Sequence, residues 1–355
     1  MGERGRLMRR AGNNPVADTH ADELMRCAIE ATRSTFPHPN PRVGAVVASS
    51  DGTVLSVAAH QSAGQPHAEV LALDAVENAV GTDLYVTLEP CNHHGRTAPC
   101  TQAILDAGVS RVFVGITDPD SRVSGQGIER LRAAGLDVTV GVLTAEIVAN
   151  DPGYFHQRAN GVPMVTVKIA TTLDGQAAAQ DGTSQWITSR EAREDAHRLR
   201  SQNDAVIVGA GTVIADDPAL TVRLDDYSGP QPRPVVIAGI REIPSDRQIL
   251  SRDPIVYRPD GSSTVDPVAV VEDLGERGIV SAMVEGGPKL ITSFMHAEVV
   301  DQIVWYVGAK LAVGTGIPAL AGVFDTMANV TQITIEDVER IGPDIKISAT
   351  IDKER

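Results

Sequence analysis

The chain has 355 residues, 42% of them hydrophobic, and 46 acidic against 31 basic side chains give it a net charge of −15. Its length exceeds one ordinary domain, so two are expected, and the acidic balance with no local basic stripe excludes nucleic acid as a partner. Three cysteines make no disulfide framework and suit a reducing compartment. No apolar run approaches the eighteen or so residues of a membrane span, so a cytoplasmic protein is expected.

The opening "MGERGRLMRRAGNNPVADTH" is basic but lacks the apolar segment of a secretory signal, and residues 1–19 read as a disordered tail. From Asp22 to about Thr35, apolar residues at Leu24, Met25, Ala28, Ile29 and Ala31 make one face of a helix, with Cys27 inside it as a small buried hydrophobe. Residues 42–48 and 53–59 predict strands around the turn Ser50-Asp51-Gly52. Helices at "AEVLALDAVENA", "CTQAILDAG" and "GIERLRAAG" then alternate with strands at "DLYVTLE", "RVFVGI" and "DVTVGVL". This alternation predicts a first domain over residues 20–155, a three-layer α/β/α unit with helices covering a largely parallel sheet.

The looser stretch "YFHQRANGVP" marks the boundary, and a second α/β domain is expected over residues 162–355. Its strands are predicted at "MVTVKIATTLDG", "DAVIVGAG", "PVVIAG" and "SAMVEGG", with helices at 189–200 and 289–297. At its end, "DQIVWYVGAKLA" and "DIKISATID" read as antiparallel strands without intervening helices.

Residues 67–100 hold two of the three cysteines. A catalytic zinc site takes three ligands from protein, and His67, Cys91 and Cys100 are of suitable type. Positions 67 and 69 of a helix point to nearly opposite sides, so His67 has to occupy the non-helical position just before the helix if it and Glu69 are to face one metal. Cys100 opens the next helix, whose N-terminal dipole favours a thiolate. Glu69 is then the carboxylate left to move protons, the pattern of zinc nucleobase deaminases. One feature departs from that pattern: eight residues, "NHHGRTAP", separate the cysteines where two are usual. Within this spacer, His93 and His94 are alternative ligands or substrate contacts.

Together with "HPNPRVGAVV" (38–47) and "HQSAGQPHAEV" (60–70), the long spacer "HHGRTAPC" resembles the deaminase half of the bifunctional riboflavin-biosynthesis deaminase–reductase family. The resemblance implies a cytidine-deaminase-like fold and hydrolytic deamination of a diaminopyrimidinone ribosylamino phosphate, with Zn2+ bound and Asn40, His60 and Arg96 holding substrate. Arg96 suits a phosphate because its fork binds bidentately; the alternative is an exposed loop charge.

"KIATTLDGQAAAQDGTSQWITS" (168–189) and "VGAGTVIADDPALTVR" (208–223) place polar residues and glycines where strands should end, which is where open α/β sheets bind ligands. Both resemble the reductase half of the same family. That implies a dihydrofolate-reductase-like fold using NADPH to reduce the ribosyl group to ribityl. By position, Ala170, Trp186, Thr212 and Asp216 would face the cofactor, and Lys168, Ser184, Arg200, Leu220, Arg223 and Glu285 the substrate. Gly286 and Gly287, in "VEGGPKL", open a helix suited to pyrophosphate. After "PVVI" the family often carries Asp followed by Ser or Thr, and an Arg just before the next Pro. This chain has Ala238-Gly239 and Arg241-Glu242-Ile243-Pro244, so Arg241 is either the substitute partner of the cofactor 2′-phosphate or an exposed charge.

Two other readings compete. A nucleic-acid-editing deaminase would need a basic surface and a two-residue cysteine spacer. A structural zinc protein would need a fourth protein ligand and would leave Glu69 idle. The expected partners are therefore a pyrimidine ribose phosphate and further copies of the chain, with neither nucleic acid nor membrane.

Overall fold

The computed structural model describes residues 15–92, 99–120, 124–323 and 325–352. These residues form two compact units. One runs to Pro37 and resumes from Pro41 to Asp151; the other takes His38–Asn40 and everything from Pro152.

In the first unit the order is α1 (Pro15–Ala31), β1 (Gly44–Ala48), β2 (Val54–Ala59), α2 (Ala68–Asp74), β3 (Asp83–Leu88), α3 (Cys100–Ala107), β4 (Arg111–Ile116), α4 (Gln126–Ala133), β5 (Asp137–Val140) and α5 (Thr144–Asn150). Five strands lie in the order β2-β1-β3-β4-β5. The uninterrupted runs of β1 and β3 are buried along their whole length, as strands covered on both faces should be. Helices α1 and α5 share one face, tied by Arg26 to Glu146 at 2.8 Å and by Asn150 Nδ2 to Thr32 Oγ1 at 2.7 Å, while α2, α3 and α4 pack side by side. Gly44 admits α1 against β1, because a Cβ there would collide with the Ala28 carbonyl.

The sheet is mixed rather than largely parallel: β1 pairs antiparallel with both β2 and β3, and only β3-β4 and β4-β5 are parallel. The short turn at Gly52 allows the antiparallel hairpin, whereas parallel neighbours need a helical crossover. Helix α1 starts at Pro15, so of the expected disordered tail only residues 1–14 lie outside the described residues. Cys27 is exposed and not a core residue: Leu24, Met25, Ala28 and Ile29 form the buried stripe, and position 27 falls outside it.

The second unit opens with α6 (Pro152–Asn160), where the sequence suggested a loose linker. It continues with β6 (Met164–Thr172), β7 (Gln176–Ala178), α7 (Arg190–Ser201), β8 (Ala205–Gly209), α8 (Ala210–Asp216), β9 (Arg233–Ile237), β10 (Ile255–Tyr257), α9 (Pro267–Glu276), β11 (Ser281–Val284), α10 (Pro288–His296), β12 (Gln302–Gly308), β13 (Ile317–Pro318), β14 (Ile333–Ile341) and β15 (Asp344–Ile351). Eight strands order as β10-β9-β8-β11-β6-β12-β15-β14. The pairings from β10 to β12 are parallel, and β15 and β14 add antiparallel, as the helix-free C-terminal sequence predicts.

Alternation along the strands divides the core. Ala205, Ile207 and Val235 face Leu274, Ile291 and Phe294 of α9 and α10, while Val206, Val208 and Val236 face Val213, Leu220 and Ile249. Leu220 is buried despite φ of 53°, two residues beyond Pro218 in a turn that also holds Asp217 at φ 42°. Left-handed backbone in bulky side chains is costly and collects at functional loops. Among the described residues no helix is long and apolar enough to cross a membrane.

Candidate metal centre and cofactor cleft

Three short-range facts assemble the metal centre. His67 is the residue before α2, with extended backbone (φ −72°, ψ 159°), so its ring turns back toward the side that Glu69 occupies. Cys91 follows β3 by three residues, and Cys100 is the first residue of α3. Their ligand atoms all lie within 4.8 Å of one another. His67 Nδ1 is 3.1 Å from Cys100 Sγ and 3.6 Å from Cys91 Sγ, and the Cys100 N–H donates to Cys91 Sγ at 3.3 Å. Tetrahedral zinc with ordinary bond lengths separates an imidazole nitrogen from a thiolate by about 3.6 Å. The donor set fits that ion.

The protons say the same. Hydrogen bonding from Cys100, with help from His67 and the Cys100 N–H, pushes the Cys91 thiol down to about 4, while the bond to Cys91 and burial drive Cys100 up. A divalent cation between the two adjacent sulfurs would displace their protons. Beside them Glu69 is 3% exposed, and its Oε2 has no hydrogen-bond partner among the described residues. Burial raises its pKa, His67 opposing. A buried carboxyl with an oxygen unpaired among the described residues, next to three atoms that could hold a metal ion, is placed where it could transfer a proton.

His60 lies edge-on to His67 with ring centroids 5.4 Å apart. Its Nδ1 is 3.1 Å from the Pro66 carbonyl, which can only accept, so Nδ1 carries the hydrogen. Burial lowers its pKa, against the pull of that carbonyl, and favours this neutral form. Asn40 belongs to the three-residue segment grouped with the second unit. His93, His94 and Arg96 lie outside the described residues.

In the second unit one cleft of about 620 Å³ is lined by Lys168, Ala170, Ser184, Trp186, Arg200 and Thr212, and further by Asp216, Leu220, Arg223, Glu285, Gly286 and Gly287. Every reductase-half residue expected from sequence is brought together there except Arg241. That side chain leaves the strand end beyond β9 and reaches Gly211 instead, its Nη1 3.3 Å from where a Cβ of Gly211 would sit. The volume lies in the usual range for small-molecule and cofactor sites. An adenine dinucleotide demands apolar walls, anion partners and close backbone approach. The cleft offers Trp186 and Ile291, the cations Lys168 and Arg223, and Gly286-Gly287 before α10, so the residues present fit NADPH.

Arg200 is more occupied than a substrate-gripping residue would be. Nε and Nη2 donate to Glu285 Oε2 at 3.2 and 2.6 Å, and Nη1 donates to the Thr221 carbonyl at 2.6 Å. Sequence reasoning missed Arg193 and His197, which share a face of α7 with Arg200. Arg193 lies over Trp186, 4.2 Å from the ring centroid, and donates to the Thr188 carbonyl. His197 Nδ1 accepts from the Arg223 N–H at 3.3 Å. The signal was a polar spacing of four and three residues along an otherwise ordinary charged helix.

Comparison with known proteins decides the family. Residues 163–347 match the model of the RibD C-terminal domain, and residues 18–116 match the cytidine and deoxycytidylate deaminase zinc-binding region. The riboflavin biosynthesis protein RibD of Mycobacterium tuberculosis (strain ATCC 25618 / H37Rv) is 40% identical, over 92% of this chain and 96% of that protein. The chain belongs to the RibD family. RibD of Escherichia coli (strain K12) is 37% identical over 91% of this chain and 96% of its own length. Two solved structures agree in fold. The diaminohydroxyphosphoribosylaminopyrimidine deaminase/5-amino-6-(5-phosphoribosylamino)uracil reductase of Thermotoga maritima has a TM-score of 0.86 at 31% identity, covering 94% of this chain and 99% of that one. Acinetobacter baumannii RibD has a TM-score of 0.86 at 30% identity, covering 95% and 100%. A RibD chain joins a zinc-dependent deaminase, here the first unit, to a reductase, here the second, in riboflavin biosynthesis.

Proposed function

We propose that His67, Cys91 and Cys100 hold zinc, that Glu69 is the acid–base group of deamination, and that the 620 Å³ cleft binds NADPH and the ribosylamino phosphate for reduction. The observation that carries the deaminase assignment is the unpartnered Glu69 Oε2 beside the triad.

Zinc supplies the Lewis acid that makes water nucleophilic near neutral pH. Glu69 would carry one proton of the attacking water to the ring nitrogen and the second to the departing amine, so that water oxygen replaces nitrogen and ammonia leaves. His60 is assigned to the substrate, with Asn40 and Arg96 as further contacts. The unpaired Glu69 oxygen is what a structural zinc site would lack.

NADPH supplies the hydride in the second unit. Ala170, Trp186, Thr212, Asp216, Gly286 and Gly287 line the cofactor's side, with Arg241 toward its 2′-phosphate. Lys168, Ser184, Leu220 and Arg223 face the substrate, and Arg200 acts by fixing Glu285 and the Leu220–Arg223 turn. Cytoplasmic working conditions fit the three free cysteines. Self-association is supported by Ile333, Ile335, Val338 and Ile345, all exposed on the outer strands β14 and β15.

The test measures zinc content, ammonia release and NADPH oxidation on one preparation supplied with the diaminopyrimidinone ribosylamino phosphate. About one zinc per chain, ammonia before any NADPH is added, and NADPH consumption afterwards are expected. Ammonia release undiminished after zinc is stripped would overturn the metal assignment. Light scattering of the same sample reads the oligomer.

A further inference from the structure

An eight-residue spacer poses a physical problem that a two-residue one does not. The longer the segment between two ligands, the more conformations it loses when both are fixed on one ion. Something outside the spacer has to hold its two ends at ligand distance, and the structure shows what does. Asn92, directly after Cys91, accepts at Oδ1 from Thr101 Oγ1 at 3.0 Å and from Arg130 Nη1 at 2.9 Å. Gln102, two residues after Cys100, accepts at Oε1 from Arg130 Nη2 at 2.5 Å, while its amide nitrogen donates to Asp106 Oδ1 at 2.8 Å and so fixes which end faces the arginine. One guanidinium therefore bridges the residues flanking both cysteines. The Thr101 N–H closes the same junction by donating to the Cys91 carbonyl at 3.2 Å.

Arg130 is itself held in place from the same strand end. It lies on α4, whose start is gripped by Glu89, two residues before Cys91. Glu89 Oε1 accepts from the N–H groups of Gly127 and Ile128 at 2.9 and 3.3 Å. Its Oε2 accepts from those of Asp118 and Gly125 at 3.1 and 2.9 Å. A Cβ on Gly127 would collide with the Pro90 carbonyl, so α4 packs directly on the segment leading into Cys91. Cys91 thus sits between two anchors on one helix: Glu89 before it and Asn92 after it.

We infer that Arg130 is a positioning residue of the metal centre, a clamp that preorganises the two thiolates by joining Asn92 to Gln102. Its contacts are with Asn92 and Gln102, so it acts through the cysteines' neighbours. The inference rests on the zinc assignment above. Groups of this kind, one shell beyond the ligands, commonly change metal affinity or activity by about 10- to 100-fold when removed.

The experiment uses the full chain. Zinc affinity is measured by competition with a chromophoric chelator for wild type, Arg130→Ala, Arg130→Lys and Gln102→Met, together with the thermal midpoint of each metal-free protein. Cobalt-loaded samples report thiolate coordination through their absorption bands. Arg130→Ala should bind zinc about 10- to 100-fold more weakly, broaden the cobalt bands, and regain deamination when zinc is raised. Arg130→Lys, a point charge without the planar fork that reaches two oxygens from two nitrogens, should fall between it and wild type. Gln102→Met removes only one arm, so it gives the answer even if Arg130→Ala does not fold. Wild-type zinc affinity in the Arg130 variants, or in Gln102→Met if those do not fold, overturns the inference. So does a loss that follows the metal-free midpoint and is as large in Arg130→Lys as in Arg130→Ala. Failure of the wild type to bind zinc would instead overturn the metal assignment beneath it.

Discussion

Arg200 and Glu285 meet in the wall of the reductase cleft with Nη2 and Oε2 2.6 Å apart, and Lys168 Nζ reaches the other carboxylate oxygen at 3.5 Å. Burial alone would raise the Glu285 pKa; Lys168 and Arg200 outweigh it and hold the carboxylate below its usual range. One anion thus separates two cations. Replacing it with a neutral amide should leave them facing each other with little water to screen them. Glu285→Gln should lower unfolding free energy by about 1–3 kcal/mol, below the usual cost of breaking a fully buried pair because the site opens on a cleft. Lys168→Met, which removes the more distant partner, should cost less. Urea unfolding followed in the second unit orders the two variants, and the reverse order would show that Lys168 carries the pairing.

The metal centre gives the sharpest contrast between removing a proton carrier and removing a ligand. Glu69→Gln keeps the shape and the neighbours of a buried side chain whose Oε2 has no hydrogen-bond partner among the described residues. It should retain about one zinc per chain while deamination falls by about 10²–10⁴-fold. Cys100→Ser, changing an atom 3.1 Å from His67 Nδ1, should lose the metal itself. Metal analysis beside ammonia release separates them, and near-wild-type turnover in Glu69→Gln rules the carboxylate out.

What the sequence made legible was local or periodic. His67 had to precede the helix for stereochemical reasons, and it does. Of the twelve residues expected to line the reductase site, ten come from two motifs and one glycine pair, Arg200 and Glu285 complete the set, and all twelve share one cleft. What stayed hidden crosses long separations or depends on context. Arg130 reaches Asn92 over 38 positions, and no spacing rule announces such a pair. Helix α6 reads as a loop because Gly153, His156, Gln157 and Asn160 dilute its apolar stripe, yet Gly153, Tyr154 and Gln157 are buried in the folded unit. Cys27 fails for the opposite reason: a residue type that favours interiors landed on the wet side of a helix whose stripe was already full.

Acid sensitivity should have an identifiable source in the second unit. Burial, then the charges of Arg200 and Arg223, push His197 down to about 4 from an ordinary value of 6.5. Protonation is therefore easier in the unfolded chain. This contribution to stability is complete above pH 6.5, drains away as pH falls toward about 4, and changes no further below that. His197→Asn can still accept from the Arg223 N–H but does not titrate, so its urea midpoint should fall less steeply than wild type between those limits. Parallel curves would assign the acid sensitivity to other groups.

Cofactor choice should turn on Arg241, the one expected reductase residue that does not line the cleft. The NADPH 2′-phosphate carries close to two negative charges, which a chain of net charge −15 repels unless a local cation compensates. Arg241 is exposed and its guanidinium stands over Gly211, next to Thr212 of the cleft wall, so it reaches the rim from outside. Arg258 donates to the Arg241 carbonyl at 3.1 Å and pairs with Glu242 at 3.5 Å, so its own charge is already engaged. Because the contact is exposed to water, its value should fall toward the low end for a bond to a charged group. Arg241→Ala should narrow the NADPH/NADH preference about tenfold, roughly 1.4 kcal/mol. It should weaken 2′-AMP by the same factor in calorimetry while leaving 5′-AMP binding and deamination alone. Equal losses for both nucleotides would mean that Arg241 shapes the rim generally, and no loss for either would place the 2′-phosphate at another cation, with Arg223 inside the cleft the first to examine.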